Sequence, residues 1–305
     1  MFVFLCCLLS IILLPDQASA WGGGAHLEIG LEVIRRAIEL PPHLAILLMR
    51  FPDEFLYGCV AADITIGKKF TYYLQNCHRW GVGERLLQVA ETDRQRACAY
   101  GYLCHLAADV VAHNYYVPFK TVQSFASVTS RHTYWELRFE DQVDQSIWKR
   151  AKTACKKSRD MDNELLRRVV TPTIFSFGAS RRIFNSIMLL SRLKKWQQLL
   201  AQLSSRSSHK LSATERQEFF DLSVQSAMDL FIHGQDSGCR LLDPTGEDAL
   251  TAAAEVRQIL LTRYQQGEIS KEEGVKQAEA VRPLFRQALY QPELLKELHQ
   301  YFTEA

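Results

Sequence analysis

The sequence predicts an all-α fold, and three observations carry that prediction. Glycine and proline are scarce for 305 residues, at 15 and 9, and a turn-rich β fold would use more of both. Apolar residues recur at spacings of three and four, the period of helices that bury one face. No segment alternates apolar and polar residues as a half-buried strand does, and there is no internal repeat. The balance of 47% hydrophobic and 23% charged residues is that of a globular chain, not a disordered or multi-span membrane one. A formal net charge of +2 leaves no global nucleic-acid footprint.

Residues 2–14 (FVFLCCLLSIILL) form an uncharged apolar run, followed by Pro15 and by the small-x-small pattern Ala18-Ser19-Ala20. A helix of that length spans about 20 Å, short of the ~30 Å hydrocarbon core. The run therefore reads as a signal peptide cleaved after Ala20, despite an n-region without Lys or Arg; an uncleaved anchor is the alternative. The expected product is secreted or periplasmic and starts at Trp21. It keeps Cys59, Cys77, Cys98, Cys104, Cys155 and Cys239, none at CxxC zinc spacing, which suits disulfides or core packing.

Residues 28–40 carry Ile29, Val33, Ile34, Ala37 and Ile38 at helical spacing and stop at Pro41-Pro42. Residues 85–117 read as one long buried helix that tolerates Gly101 and ends before Pro118, and residues 132–152 as another. Further on, Ser212-x-x-Glu215 and Ser270-x-x-Glu273 are capping boxes that mark helix starts. The polar stretch 233–248 (HGQDSGCRLLDPTGED) is the linker candidate. It divides the chain into a leader at 1–20, a main domain at 21–232 and a C-terminal helical extension at 249–305.

Five of the nine histidines, His26, His78, His105, His113 and His132, lie in the first half beside acidic residues. His105-Leu-Ala-Ala-Asp109-Val-Val-Ala-His113 places three ligand types along one helix face, drifting about 40° at each step. The intervening residues are apolar, so the stripe faces the core, where a carboxylate without a counter-charge is costly. Metal answers that cost; fully hydrogen-bonded core polar residues are the other reading. His132 and Glu136 repeat the i, i+4 logic on the next helix, a pair that needs a third ligand from elsewhere. Asp63 and His78 fall in a predicted loop region, where function often resides. After cleavage, the amine and carbonyl of Trp21 can chelate one metal, with His26 nearby and Gly22-Gly23-Gly24 letting the backbone fold back tightly.

As an ordered set over residues 21–140, these nine residues resemble the zinc-dependent phospholipase C family. Its relatives include the single-strand nucleases and the N-terminal domain of glycosylphosphatidylinositol phospholipase D. The resemblance implies an all-α phospholipase C/nuclease-like domain with up to three zinc ions (Zn2+), and residues 150–305 supply additional C-terminal helices. It implies that Trp21, His26 and Asp109 hold one zinc. Asp63, His78, His105 and Asp109 would hold the second, with Asp109 bridging, and His113, His132 and Glu136 the third. The compact His-x3-Asp-x3-His spacing is more similar to the phospholipase D branch than to the best-known phospholipases C. The Trp-to-His spacing resembles the nucleases, while Glu136 matches the phospholipase side.

Clustered zinc suits phosphodiester hydrolysis, because close metals activate water, orient phosphate and neutralise charge. Asp63 is expected to act as a ligand or as the general base. The expected substrate is a phospholipid at a membrane surface, cut to diacylglycerol and a phosphorylated headgroup, with no stable nucleic-acid complex. The alternatives are a zinc nuclease acting on single strands and a non-catalytic zinc-braced interaction module. Residues 181–198 (RRIFNSIMLLSRLKKWQQ) form a basic amphipathic stretch that can dock on anionic lipid or pack on the core. Phe51, Tyr57, Phe70, Tyr72 and Tyr73 are stacking candidates or core.

Overall fold

A computed structural model of the chain describes residues 21–64, 77–127, 132–150, 161–170 and 210–303, with no strand among them. The helices are α1 (Gly23–Arg35), α2 (Pro42–Arg50), α3 (Pro52–Ala61), α4 (Trp80–Val89), α5 (Asp93–Val111), α6 (Val117–Gln123), α7 (His132–Glu140), α8 (Met161–Val169), α9 (Ala213–His233), α10 (Glu247–Gln265), α11 (Lys271–Ala280), α12 (Arg282–Ala288) and α13 (Leu295–Thr303). No described helix is long and apolar enough to cross a membrane. The stretch 181–198, Cys155, Phe70, Tyr72 and Tyr73 lie outside the described residues.

α5 is the axis. From Ala97 to Val111 every residue except Tyr100 is buried, because α3, α9 and α4 all pack along it and α1 lies against α3 and α9. The α3–α5 crossing is closed by two glycines. A Cβ on Gly58 would overlap the Cys98 carbonyl, and one on Gly101 would overlap that of Phe55. Gly101 is thus required by backbone approach, not merely tolerated inside a helix. The C-terminal helices form a second layer in which α10 and α11 cover α6, while α12 meets the segment ahead of α6.

Several expectations are corrected. α1 begins at Gly23 rather than near residue 28 and ends at Arg35, with a 3-10 turn at Ala37–Glu39 before Pro42 opens α2. The expected long helix is two, because Thr92 makes a full capping box with Gln95 and starts α5 afresh. Nor does it end before Pro118. A π-helical turn at Ala112–Tyr116 widens the spiral, and α6 runs on with Pro118 in its first turn, where its missing N–H does least harm. The 132–152 helix stops at Glu140, turns, and resumes at residue 145, where Asp144 Oδ1 accepts the Ser146 N–H at 2.7 Å. Ser212 and Glu215 form the expected reciprocal box, and Ser270 accepts the Glu273 N–H at 3.1 Å.

The stretch 233–248 is no linker. It forms two 3-10 turns, Gly234–Asp236 and Gly238–Leu241, and then a strap bonded to the domain. Trp80 Nε1 donates to the Leu242 carbonyl at 2.8 Å, and Asn114 Nδ2 donates to that of Asp243 at 3.0 Å.

Candidate metal centre

Six elements deliver ligand-type side chains to one buried region. α1 brings His26 in its first turn, and the 3-10 turn Ala62–Ile64 after α3 brings Asp63. The turn before α4 supplies His78, and α5 supplies His105 and Asp109. His113 comes from the π turn, and His132 and Glu136 from α7. They gather into three groups, His26–His105–Asp109, Asp63–His78–His105 and His113–His132–Glu136, the facing atoms within each lying inside 4.8 Å.

Asp109 is the hub. Its Oδ1 lies 3.3 Å from His26 Nε2, and its Oδ2 lies 3.1 Å from His105 Nε2 and 3.4 Å from His78 Nε2. His78 Nε2 also stands 3.3 Å from Asp63 Oδ1. In the other group, His132 Nε2 is 2.9 Å from Glu136 Oε1, and the His113 ring centre is 5.1 Å from that of His132.

Two features test whether metal fits. Among the described residues, His26 Nδ1 and His113 Nε2 are sealed from solvent without a hydrogen bond, and the sealed Asp109 oxygens meet imidazole nitrogens at 3.1–3.4 Å without well-aligned hydrogen bonds, an arrangement that calls for further compensation. His78 Nε2 and His105 Nε2 also face each other at 3.1 Å. That separation suits an N–H···N hydrogen bond in one pair of tautomers, and equally two lone pairs aimed at one shared cation. A set of imidazole and carboxylate donors converging on common points is zinc-type chemistry. The residues fit the metal.

The surrounding bonds set the tautomers. His105 Nδ1 lies 2.9 Å from the Cys59 carbonyl and His113 Nδ1 lies 2.6 Å from that of Pro244. Each carbonyl can only accept, so Nδ1 carries a proton and Nε2 is the nitrogen left for a metal when the ring is neutral. The Tyr102 hydroxyl donates to the Cys77 carbonyl, beside His78. Burial acts against charge throughout. It lowers His26, helped by His105, and takes His113 down to about 3. It raises Glu136 despite His132. Burial opposes the shifts of the central pair as well, yet the facing His105 and His26 hold Asp109 well below the usual carboxylate range, and Asp109 with Asp63 keeps His105 raised.

Trp21 enters by its side chain. The indole is fully buried, donates from Nε1 to the Ala108 carbonyl at 3.1 Å, and packs 4.8 Å from Tyr116 and 4.0 Å from Phe139. The segment is therefore anchored next to Asp109. The glycines after it do not serve a tight fold-back, since Gly22 has φ −64° and continues directly into α1. They leave room instead: a Cβ on Gly22 or Gly24 would overlap the Glu140 carboxylate, and one on Gly24 would lie 2.5 Å from Trp148.

Glu140 and the 244–246 strap are what the sequence reading missed. The Glu140 carboxylate accepts the N–H groups of Gly24 at 2.8 Å and Ala25 at 3.0 Å, capping the helix that carries His26; burial pushes it up to about 7. The available signal was its position four residues after Glu136, on the same face of α7. Of the aromatic candidates, Tyr57 is buried core, while Phe51 is half-buried under the Arg50 and Arg94 guanidinium groups. Cys59, Cys104 and Cys239 are buried thiols.

The model of a family described as zinc-dependent phospholipase C matches residues 25–174. Comparison with curated proteins and with solved structures gave no match. The matched stretch takes in His26 through Glu136 and stops short of the strap.

Proposed function

The chain belongs to the zinc-dependent phospholipase C family through residues 25–174, and on that premise we propose that it is an exported phosphodiesterase acting on phospholipids. The observation that supports this most is the convergence of buried donor atoms on Asp109, which makes sense around bound cations. His26 and Asp109, with the Trp21 amine of a trimmed chain, would hold one zinc; Asp63, His78, His105 and Asp109 a second; His113, His132 and Glu136 a third. Zinc bound there supplies Lewis acidity, lowering the pKa of water and neutralising charge on a phosphate ester.

The chain's own residues divide the remaining work. Asp63 has a side chain 9% exposed, whereas Asp109 is sealed at 0%. Asp63 is the less enclosed of the two carboxylates, and in this reading its oxygen takes the proton of the attacking water. Asp109 stays ionised between its imidazoles and fixes the spacing of two positions. The Cys59 and Pro244 carbonyls keep His105 and His113 in the inward-facing tautomer. The phosphodiester is cut on the glycerol side, leaving diacylglycerol and a phosphorylated headgroup.

The test is zinc content per chain on protein from an exporting host, with its N-terminus sequenced. Phosphatidylcholine vesicles and single-stranded DNA are then assayed side by side. Close to three zinc ions, a start at Trp21 and headgroup release from vesicles are the expected results. Hydrolysis of DNA alone would move the substrate to nucleic acid, and a folded, trimmed chain with one zinc or none would sink the reading.

A further inference from the structure

We propose that the strap at residues 244–246, from a part of the chain outside the family-matched stretch, positions the metal site formed by His113, His132 and Glu136. The inference rests on the zinc reading above. Pro244 offers His113 a carbonyl at 2.6 Å from Nδ1, which commits the Nδ1 proton outward. The opposite nitrogen, Nε2, is sealed and without a hydrogen bond among the described residues, in the group with His132 and Glu136.

Gly246 then fixes how closely the strap lies on His113. It has φ +63°, in the left-handed region that favours glycine, and a Cβ there would sit 2.5 Å from His113 Cβ and 2.6 Å from its carbonyl carbon. The strap is itself held in place. Asp243 Oδ1 accepts the Thr245 N–H and hydroxyl at 2.9 Å each, and the Asp243 carbonyl accepts the Gly246 N–H at 2.9 Å. Asn114, next to His113, grips that same carbonyl, and Trp80 grips Leu242. Leu250 N–H bonds the Gly246 carbonyl at 2.9 Å, so the strap runs straight into α10. Supporting bonds of this kind orient ligating imidazoles, and their loss typically weakens metal binding about 10- to 100-fold.

Gly267 supplies the control. It too has positive φ, +75°, but nothing lies within 4 Å of where its Cβ would be. Gly267→Ala therefore carries the backbone strain of Gly246→Ala without the push on His113. Zinc-free wild type, Gly246→Ala and Gly267→Ala are titrated with zinc by calorimetry, with metal counted at saturation. The proposal expects Gly246→Ala to lose one equivalent, or to weaken one binding step about 10-fold or more, while the other steps match wild type and Gly267→Ala keeps every step. It is overturned if Gly246→Ala titrates like wild type, if it loses all equivalents together, or if Gly267→Ala loses the same step. Asp243→Ala loosens the strap without adding bulk, and Asp243→Asn restores the Oδ1 acceptor. The first should weaken that one step and the second recover it. This pair decides the matter should Gly246→Ala fail to fold, and a wild-type titration for Asp243→Ala overturns the proposal. Wild-type protein that binds no zinc at all would instead strike down the functional reading beneath it.

Discussion

Asp109 lies where three imidazoles from α1, α5 and the turn before α4 meet, and each of its oxygens faces at least one of them. Removing its charge should therefore disturb two metal positions, whereas Asp63 reaches only the second group. Asp109→Asn is expected to lose about two zinc equivalents, with activity at background. Asp63→Asn should retain more zinc yet lose about 10²- to 10⁴-fold in turnover, the usual worth of a positioned general base. Metal counting and vesicle hydrolysis on the two variants check both statements. Equal zinc loss would make Asp63 a ligand first. His105 and His113 could be picked out from their spacing, since i, i+4 and i+8 share a helix face. Their backbone partners, Cys59 and Pro244, could not, because a carbonyl leaves no trace in residue type.

α1 depends on α7 for its start. Gly22 gives no side-chain cap, and the Glu140 carboxylate takes over the first N–H groups from 115 and 116 residues away. Burial raises the Glu140 carboxyl in the fold, so the folded state holds its proton more tightly than the unfolded chain does. Its contribution is then fully favourable below the ordinary value of 4.5 and declines as pH rises to about 7. In zinc-free protein, the stability advantage of wild type over Glu140→Gln should shrink across that window and level off above it, as read by denaturant midpoints at a series of pH values. A constant difference would contradict this. At the α3–α5 crossing, Gly101→Ala sets a methyl against backbone that cannot yield. It should cost about 3 kcal/mol or more, which is ~6 °C or more in melting midpoint. Gly81→Ala, with open space around it, should stay near wild type. Both glycines sit within helices, and only the neighbour's backbone tells them apart.

The helices after residue 246 complete the core as well as the site. Val256, Leu260, Phe285 and Leu298 are fully buried, each worth roughly 1.5–3 kcal/mol, so their sum approaches the 5–15 kcal/mol by which a domain is stable at all. Charged contacts tie the layers too: Arg282 bonds Glu218 at 2.6 Å and the Tyr115 hydroxyl at 3.1 Å, and buried Lys120 bonds Gln123 at 2.8 Å and also Glu215. A chain ended at residue 232 is therefore expected to lose cooperative thermal unfolding and its near-UV circular dichroism. A sharp melt from that truncation would show that residues 249–305 are a separable extension.

Local sequence was enough for the helical class, for the helix starts at Ser212 and Ser270, and for the identity and order of the ligand-type residues. Those are local facts, set by a 3.6-residue period, by a capping side chain three residues from its target, and by chemistry that only His, Asp and Glu possess. The assembled helices show why Gly58 and Gly101 must be glycine, and how Glu140 and the strap at 244–246 hold His26 and His113. Each of those depends on atoms brought together from distant parts of the chain, mostly backbone carbonyls and N–H groups. Every residue has them alike, so only the fold selects which ones act.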